Sequence, residues 1–181
     1  MPRLLARARI FSAAIALLFN AGCARPPAMP VATRVEGVKN VTSDGRVYIA
    51  GAPTHDGLSE MKRLGVTTIV DVRSEPAAIA DEQAAARAIG LNYINIPIKS
   101  DGMTPQQADA ISREMQKHAS EKVLLHCGGG NRAGAAYGAW LGKSGLCTAD
   151  EAITRAEKAG LSNPKLREDL RRDLSKPPAG Q

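Results

Sequence analysis

Cys127 and Arg132 stand five positions apart in the stretch Val-Leu-Leu-His-Cys-Gly-Gly-Gly-Asn-Arg-Ala-Gly, residues 123–134. A thiolate is a strong nucleophile, and a guanidinium can grip two oxygens of a tetrahedral anion. Gly128, Gly129 and Gly130 let the intervening backbone turn through positive φ and come close to a ligand. Asn131 tolerates left-handed geometry and can hydrogen-bond within the loop. His126, just before the cysteine, is placed to hold the loop and tune the thiolate. Val123, Leu124 and Leu125 form an apolar run that reads as a buried strand, and the small and apolar residues 133–141 suit a tightly packed helix. The cysteine therefore ends a strand. The arginine opens a helix, whose N-terminal amides and partial positive charge favour an anion.

Other readings of the glycines fit less well. Gly128-x-Gly130-x-x-Ala133 loosely matches a dinucleotide fingerprint, but it comes late in the chain and lacks the acidic residue expected about 20 positions on. A nucleoside-triphosphate loop is excluded because no Gly-Lys-Ser/Thr follows. A merely buried cysteine beside a glycine turn is the bland alternative.

The run His126-Cys127-Gly128-Gly129-Gly130-Asn131-Arg132-Ala133-Gly134 resembles the signature loop of cysteine-dependent protein tyrosine phosphatases. It is closer to the dual-specificity type, and within that to the bacterial beta-lactamase-hydrolase-like phosphatase domains. The usual loop has five residues between cysteine and arginine, whereas this one has four, residues 128–131. Rhodanese-type sulfurtransferases also use a short cysteine loop, so the spacing leaves sulfur transfer open beside phosphate hydrolysis. A non-catalytic anion-binding module is the third alternative. The resemblance implies a dual-specificity-phosphatase-like fold and phosphate monoester substrates, on protein or small molecule. It also implies a phosphate cradle built from residues 128–132, and no metal or cofactor. The family's general acid is an aspartate on a loop. Asp101, between a strand ending near Ile96 and a helix capped by Thr104, is the candidate here.

Positioning these groups calls for an α/β domain with a mainly parallel central sheet flanked by helices. Strands are expected at 46–50, 66–72, 91–96 and 123–126, with an irregular lead-in strand over 35–41. Helices are expected at 56–64, 76–89, 105–118, 133–143, 149–159 and 164–174. Gly65, Gly90 and Gly160 stop three of them, and Pro76 and Pro105 take first-turn positions. Ligands in such sheets bind beyond the carboxyl ends of the strands, where Cys127 falls. Asp71 and Arg73 read as an ion-paired strand end and His118 as a helix-end charge. Arg167, Arg171 and Arg172 read as a solvated face.

The domain is bounded at residues 35–176, with a tail at 177–181. Arg3, Arg7 and Arg9 precede an apolar run over 10–19, too short to span a bilayer, so residues 1–22 read as a secretion signal. Asn20-Ala21-Gly22-Cys23 resembles a bacterial lipoprotein cleavage site, although an apolar residue is usual where Asn20 stands. Lipidation of Cys23 is expected, followed by a proline-bearing linker over 23–34 that holds the domain near a membrane in the periplasm. The net charge is +6. Without the three leader arginines, 21 basic residues face 18 acidic ones, so the balance does not point to nucleic acid. Aromatics make up 3% of the chain, which leaves a core of Ala, Val, Ile and Leu. A Cys127–Cys147 disulfide would require a helix of about 16 Å between them to double back, so Cys147 is expected to be a packing residue.

Overall fold

Alternation along the central strands creates two buried faces. In a computed structural model, residues 27–176 are described; the expected signal sequence, Cys23 and the 177–181 tail lie outside them. Six strands form one sheet: β1 Val31–Ala32, β2 Thr42–Ser43, β3 Val47–Ala50, β4 Val66–Asp71, β5 Asn92–Asn95 and β6 Lys122–His126. Their order is β1-β2-β3-β6-β4-β5. The four strands β3, β6, β4 and β5 are parallel, and β1 and β2 extend the sheet antiparallel. The α/β class with a mainly parallel sheet is therefore correct.

The helices are α1 His55–Arg63, α2 Pro76–Ala88, α3 Pro105–Lys117, α4 Asn131–Lys143, α5 Ala149–Lys158 and α6 Pro164–Leu174. Val47, Ile49, Val70, Val123, Leu125 and Cys127 point into the core shared with α3 to α6. Tyr48, Ala50, Ile69 and Leu124 point the other way, onto α1 and α2. This period of two sends Cys127 to the α4 side and His126 to the α2 side.

Helix α4 is buried from Ala133 to Leu141, which explains its lack of an apolar stripe: it has neighbours all round. Its glycines allow close approach. A Cβ on Gly134 would stand 2.7 Å from the Leu161 amide nitrogen, and one on Gly138 would stand 2.8 Å from Ala156 Cβ. The two aromatics of α4 are used at the opposite end of the sheet from the loop. Tyr137 donates to Asp44 Oδ2 at 2.8 Å, and Arg46 stacks 4.9 Å above the Trp140 ring.

The lead-in differs from expectation. Residues 35–41 are not a strand, because Gly37 (φ +71°) and Asn40 (φ +50°) break extended backbone. The sheet instead takes up Val31–Ala32, inside the stretch read as a linker, and Thr42–Ser43. Helix α4 begins at Asn131, two residues earlier than expected, because Gly130 at φ +107° serves as its N-cap. Thr54, Thr104, Thr148 and Asn163 cap α1, α3, α5 and α6 with side-chain oxygens, and Thr104 with Gln107 forms a full capping box. Both Cys127 and Cys147 are free thiols, and Cys147 packs against the core.

Candidate active site

The 127–132 loop is shaped by what holds its carbonyls. Ala52 N donates to Gly128 O at 3.3 Å, Asn40 Nδ2 donates to Gly129 O at 3.0 Å, and Gly134 N donates to Gly130 O at 2.8 Å. A trans peptide places each N–H opposite its carbonyl. Fixing the three oxygens outward therefore turns the amides of 129, 130 and 131 inward. The Gly130 amide demonstrates this, donating to Cys127 Sγ at 3.1 Å. Cys127 is 2% exposed, so its sulfur sits at the base of a cup of N–H groups beside the α4 N-terminus. Such a cup is built to receive an oxyanion.

Arg132 hangs over this cup, with Nη2 3.6 Å from where a Gly128 Cβ would stand. Its Nη1 donates to Ile98 O at 3.1 Å, Ser74 Oγ at 3.4 Å and Glu75 Oε1 at 3.3 Å, and Nη2 reaches Glu75 Oε1 at 3.3 Å. One corner of the guanidinium is anchored, while its Nε makes no hydrogen bond among the described residues. Partial burial pushes the Glu75 carboxyl up, but the Ser74 amide and the Arg132 charge hold it below the usual carboxylate range. Glu75 therefore stays ionised as an arginine holder.

Asn131 does not bond within the loop. Its Oδ1 accepts from Ser162 N at 2.7 Å, Ser162 Oγ at 3.2 Å and Asn163 N at 2.7 Å, tying the α4 N-terminus to the α5–α6 connection. Asn163 in turn donates to Ser100 O at 3.3 Å. With the Arg132–Ile98 bond, this brings the loop carrying Asp101 to the rim of the site. Asp101 is exposed, and its carboxylate makes no hydrogen bond or ion pair among the described residues.

Behind the loop lies a buried ionic cluster. Arg73 Nη2 is 2.8 Å from both Asp71 Oδ2 and Glu82 Oε2, and Tyr93 donates to Asp71. His126 Nε2 lies 2.7 Å from Glu82 Oε1 and 3.9 Å from Asp71 Oδ1. The Glu82–His126 approach lies off the ring N–H axes and is a close contact without an aligned hydrogen bond. Asp71, Glu82 and His126 offer three ligand-type atoms within 4.8 Å of one another. The Arg73 guanidinium already spans the two carboxylates, so the cluster has its cation in place. Burial pushes the Asp71 carboxyl up, but the Arg73 hydrogen bonds, the His126 charge and the Tyr93 hydroxyl outweigh it and hold it low. Arg73 is raised far above its ordinary range by the same pairing, against the opposing pull of burial. The expected Asp71–Arg73 pair is present, and His126 holds the loop from behind. His118 is not a bare dipole charge; it sits between Glu114 and Glu121. Arg167 and Arg172 are paired with Glu157 and Asp169.

Asn40, Glu75 and Glu82 belong to no motif in the sequence, and Asn163 reads there only as the start of the last helix. Asn40 is the most direct of them in effect. Asn40→Gly, which keeps the positive φ but removes the amide, is expected to lower kcat about fivefold through a looser cup, the equivalent of one hydrogen bond of about 1 kcal/mol. Asn40→Ala should lose more, because it adds left-handed strain. Steady-state kinetics on para-nitrophenyl phosphate checks both, and equal rates for wild type and Asn40→Gly would remove Asn40 from the loop's support.

Known proteins share this architecture. A family model described as "DSP-PTPase phosphatase fused to NAD+ Kinase" matches residues 24–170. A beta-lactamase hydrolase-like protein of Xylella fastidiosa is 32% identical over 102 residues, covering 53% of this chain and 23% of that protein. The chain thus spans about a quarter of the length of that curated relative. Among solved structures, the active form of Tk-PTP gives a TM-score of 0.67 at 22% identity, covering 80% of this chain and 100% of that one. TpbA of P. aeruginosa gives 0.65 at 18% identity, covering 82% and 90%. A TpbA variant has also been crystallised with pTyr. At these identities the structures establish the fold, while the family match covers most of the chain. The chain belongs to the family described as DSP-PTPase phosphatase fused to NAD+ kinase.

Proposed function

We propose that Cys127 attacks the phosphorus of a phosphate monoester in line with the leaving oxygen. The S–P bond forms, the P–O ester bond breaks, and the leaving oxygen takes a proton from Asp101. The inward amides of Gly129, Gly130 and Asn131, joined by those of Gly128 and Arg132 and by the Arg132 guanidinium, stabilise the equatorial oxygens. Water then attacks the phosphocysteine, Asp101 takes back a proton, and inorganic phosphate leaves. The observation that carries this reading is the Gly130 N–H on the Cys127 sulfur at 3.1 Å, in a cup whose carbonyls are tied outward.

The substrate class proposed is phosphorylated protein, phosphotyrosine included, which the pTyr complex of the TpbA variant supports by analogy of fold. The setting proposed is the periplasm, with the chain held to a membrane through lipid on Cys23, on the strength of the leader and the Ala21-Gly22-Cys23 pattern. Rapid quench after mixing with para-nitrophenyl phosphate, followed by mass spectrometry, tests the chemistry. A phosphoryl group on Cys127 is the expected result. A stable extra sulfur on Cys127 after thiosulfate, with no phosphoryl adduct, would assign it to sulfur transfer instead.

A further inference from the structure

The chain enters the domain at the end of the sheet farthest from the cysteine loop. Buried Arg155 on α5 fixes the Pro27 and Ala28 carbonyls through Nη1, at 2.7 and 3.2 Å. Pro27 shares one cavity wall with Asp44, Arg46, Ala119 and Trp140. Asp44 and Arg46 precede β3, and Ala119 precedes β6. These two strands are parallel, so their starts share one rim, and their ends, with Cys127, share the other. Helix α4 spans the distance: it opens at the loop with Asn131 and carries Trp140 nine residues on, about 14 Å along its axis.

That far rim is also where apolar surface is left open. The exposed large hydrophobic side chains among the described residues are Met29 (42%) and Val31 (63%). Val31 pairs with Ser43, beside the Asp44–Arg46 turn, so it stands on the rim where the chain enters. Arg46 and Lys122 bring positive charge to the same rim, and Asp44 and Glu121 bring negative charge. Exposed apolar side chains on the rim from which an acylated chain would emerge suit the interface of a bilayer. Cys23 lies four residues before Pro27, a reach of at most about 14 Å.

We infer that the rim formed by residues 27–31 and the 44–46 turn lies against the membrane, and that the Cys127 cup opens away from it. This inference rests on the proposed anchoring through Cys23. It narrows the substrate class: the site meets phosphate esters carried by soluble molecules or by proteins standing off the surface. Phosphorylated headgroups of the membrane that holds the chain are on the wrong side of the domain.

Hydrogen exchange on the full chain tests the orientation. The chain is expressed in a lipidating bacterial host and reconstituted in vesicles of phosphatidylethanolamine and phosphatidylglycerol. Slowed exchange is expected at residues 29–32 and 44–46, with no change at 99–102 and 128–130. A Met29→Ser/Val31→Ser pair should abolish that slowing while the acylated chain stays on the vesicles. Slowed exchange at 99–102 and 128–130 instead overturns the orientation. No slowing at either end with acylation confirmed by mass spectrometry overturns the contact surface, as does slowing at 29–32 that tracks self-association without lipid. A chain without acyl mass on Cys23 that stays in the aqueous fraction overturns the anchoring, and the orientation with it. The phosphocysteine measurement is independent of all these outcomes.

Discussion

Cys127→Ser is expected to lower turnover of para-nitrophenyl phosphate by about 10⁵-fold or more, in kcat and kcat/KM alike. A serine hydroxyl is far harder to deprotonate than a thiol, and the cup stabilises an anion without removing a proton. Among the described residues no side-chain base is hydrogen-bonded to the Cys127 sulfur, and Asp101 starts the reaction as an acid. His126 follows the alternation of β6 to the opposite face of the sheet, where Glu82 and Asp71 engage it. Arg132 is a permanent cation. Phosphate affinity should change only a few-fold, because the inward amides and the guanidinium remain. Loss of activity with retained phosphate binding, measured by calorimetry, would separate the nucleophile from the anion cradle. A serine variant within about a hundredfold of wild type would remove Cys127 from the covalent step.

The site was legible in the sequence where its parts are local. Nucleophile, glycines and arginine occupy six consecutive positions at the end of an apolar run, whereas the face that Cys127 takes emerges only from the packing of β6. What supports the loop was not legible, because the partners are distant in sequence and are set by the strand order. Asn40 meets Gly129 only because β3, which carries β2 on its outer edge, lies beside β6, and Glu75 meets Arg132 only because β4 is the neighbour of β6 on the other side. One signal was present for Glu82. It lies on the stripe Ile79–Glu82–Ala86 of α2, where a charged residue at a core position implies a buried partner. Asn40 carried a weaker signal, since asparagine is among the few residues that accept φ +50°. The strand expected over 35–41 failed because two positive-φ positions within it, Gly37 and Asn40, outweigh its valines.

The second large effect is on stability. Arg73→Met is expected to destabilise the fold by about 3–5 kcal/mol at neutral pH, a large part of a typical domain's total. Methionine can fill much of the space, but it leaves Asp71 (0% exposed) and Glu82 (4%) facing each other without the guanidinium that joins them. The pH dependence identifies the cause. In the wild type the Asp71 carboxyl is held below its ordinary value, so its contribution is complete above the unfolded value of about 3.9 and is lost as pH falls through the folded one. In the variant, burial acts on Asp71 unopposed by the guanidinium, and the folded state gains by taking up a proton. The gap between the two urea midpoints should therefore be widest near neutrality and narrow as the pH is lowered toward about 4. Neutralising the carboxylates tests the same point at constant pH: Asp71→Asn/Arg73→Met/Glu82→Gln should recover much of the lost midpoint, since an uncharged cluster has no unpaired ion to bury. A gap that widens in acid, or a triple variant no more stable than Arg73→Met, would mean that packing around Arg73 matters more than its charge. The link to catalysis is direct. Val72 N donates to His126 O at 2.9 Å, so the strand ends that carry this cluster also carry the residue before Cys127. A variant that stays folded at low temperature should still lose kcat before it loses phosphate binding.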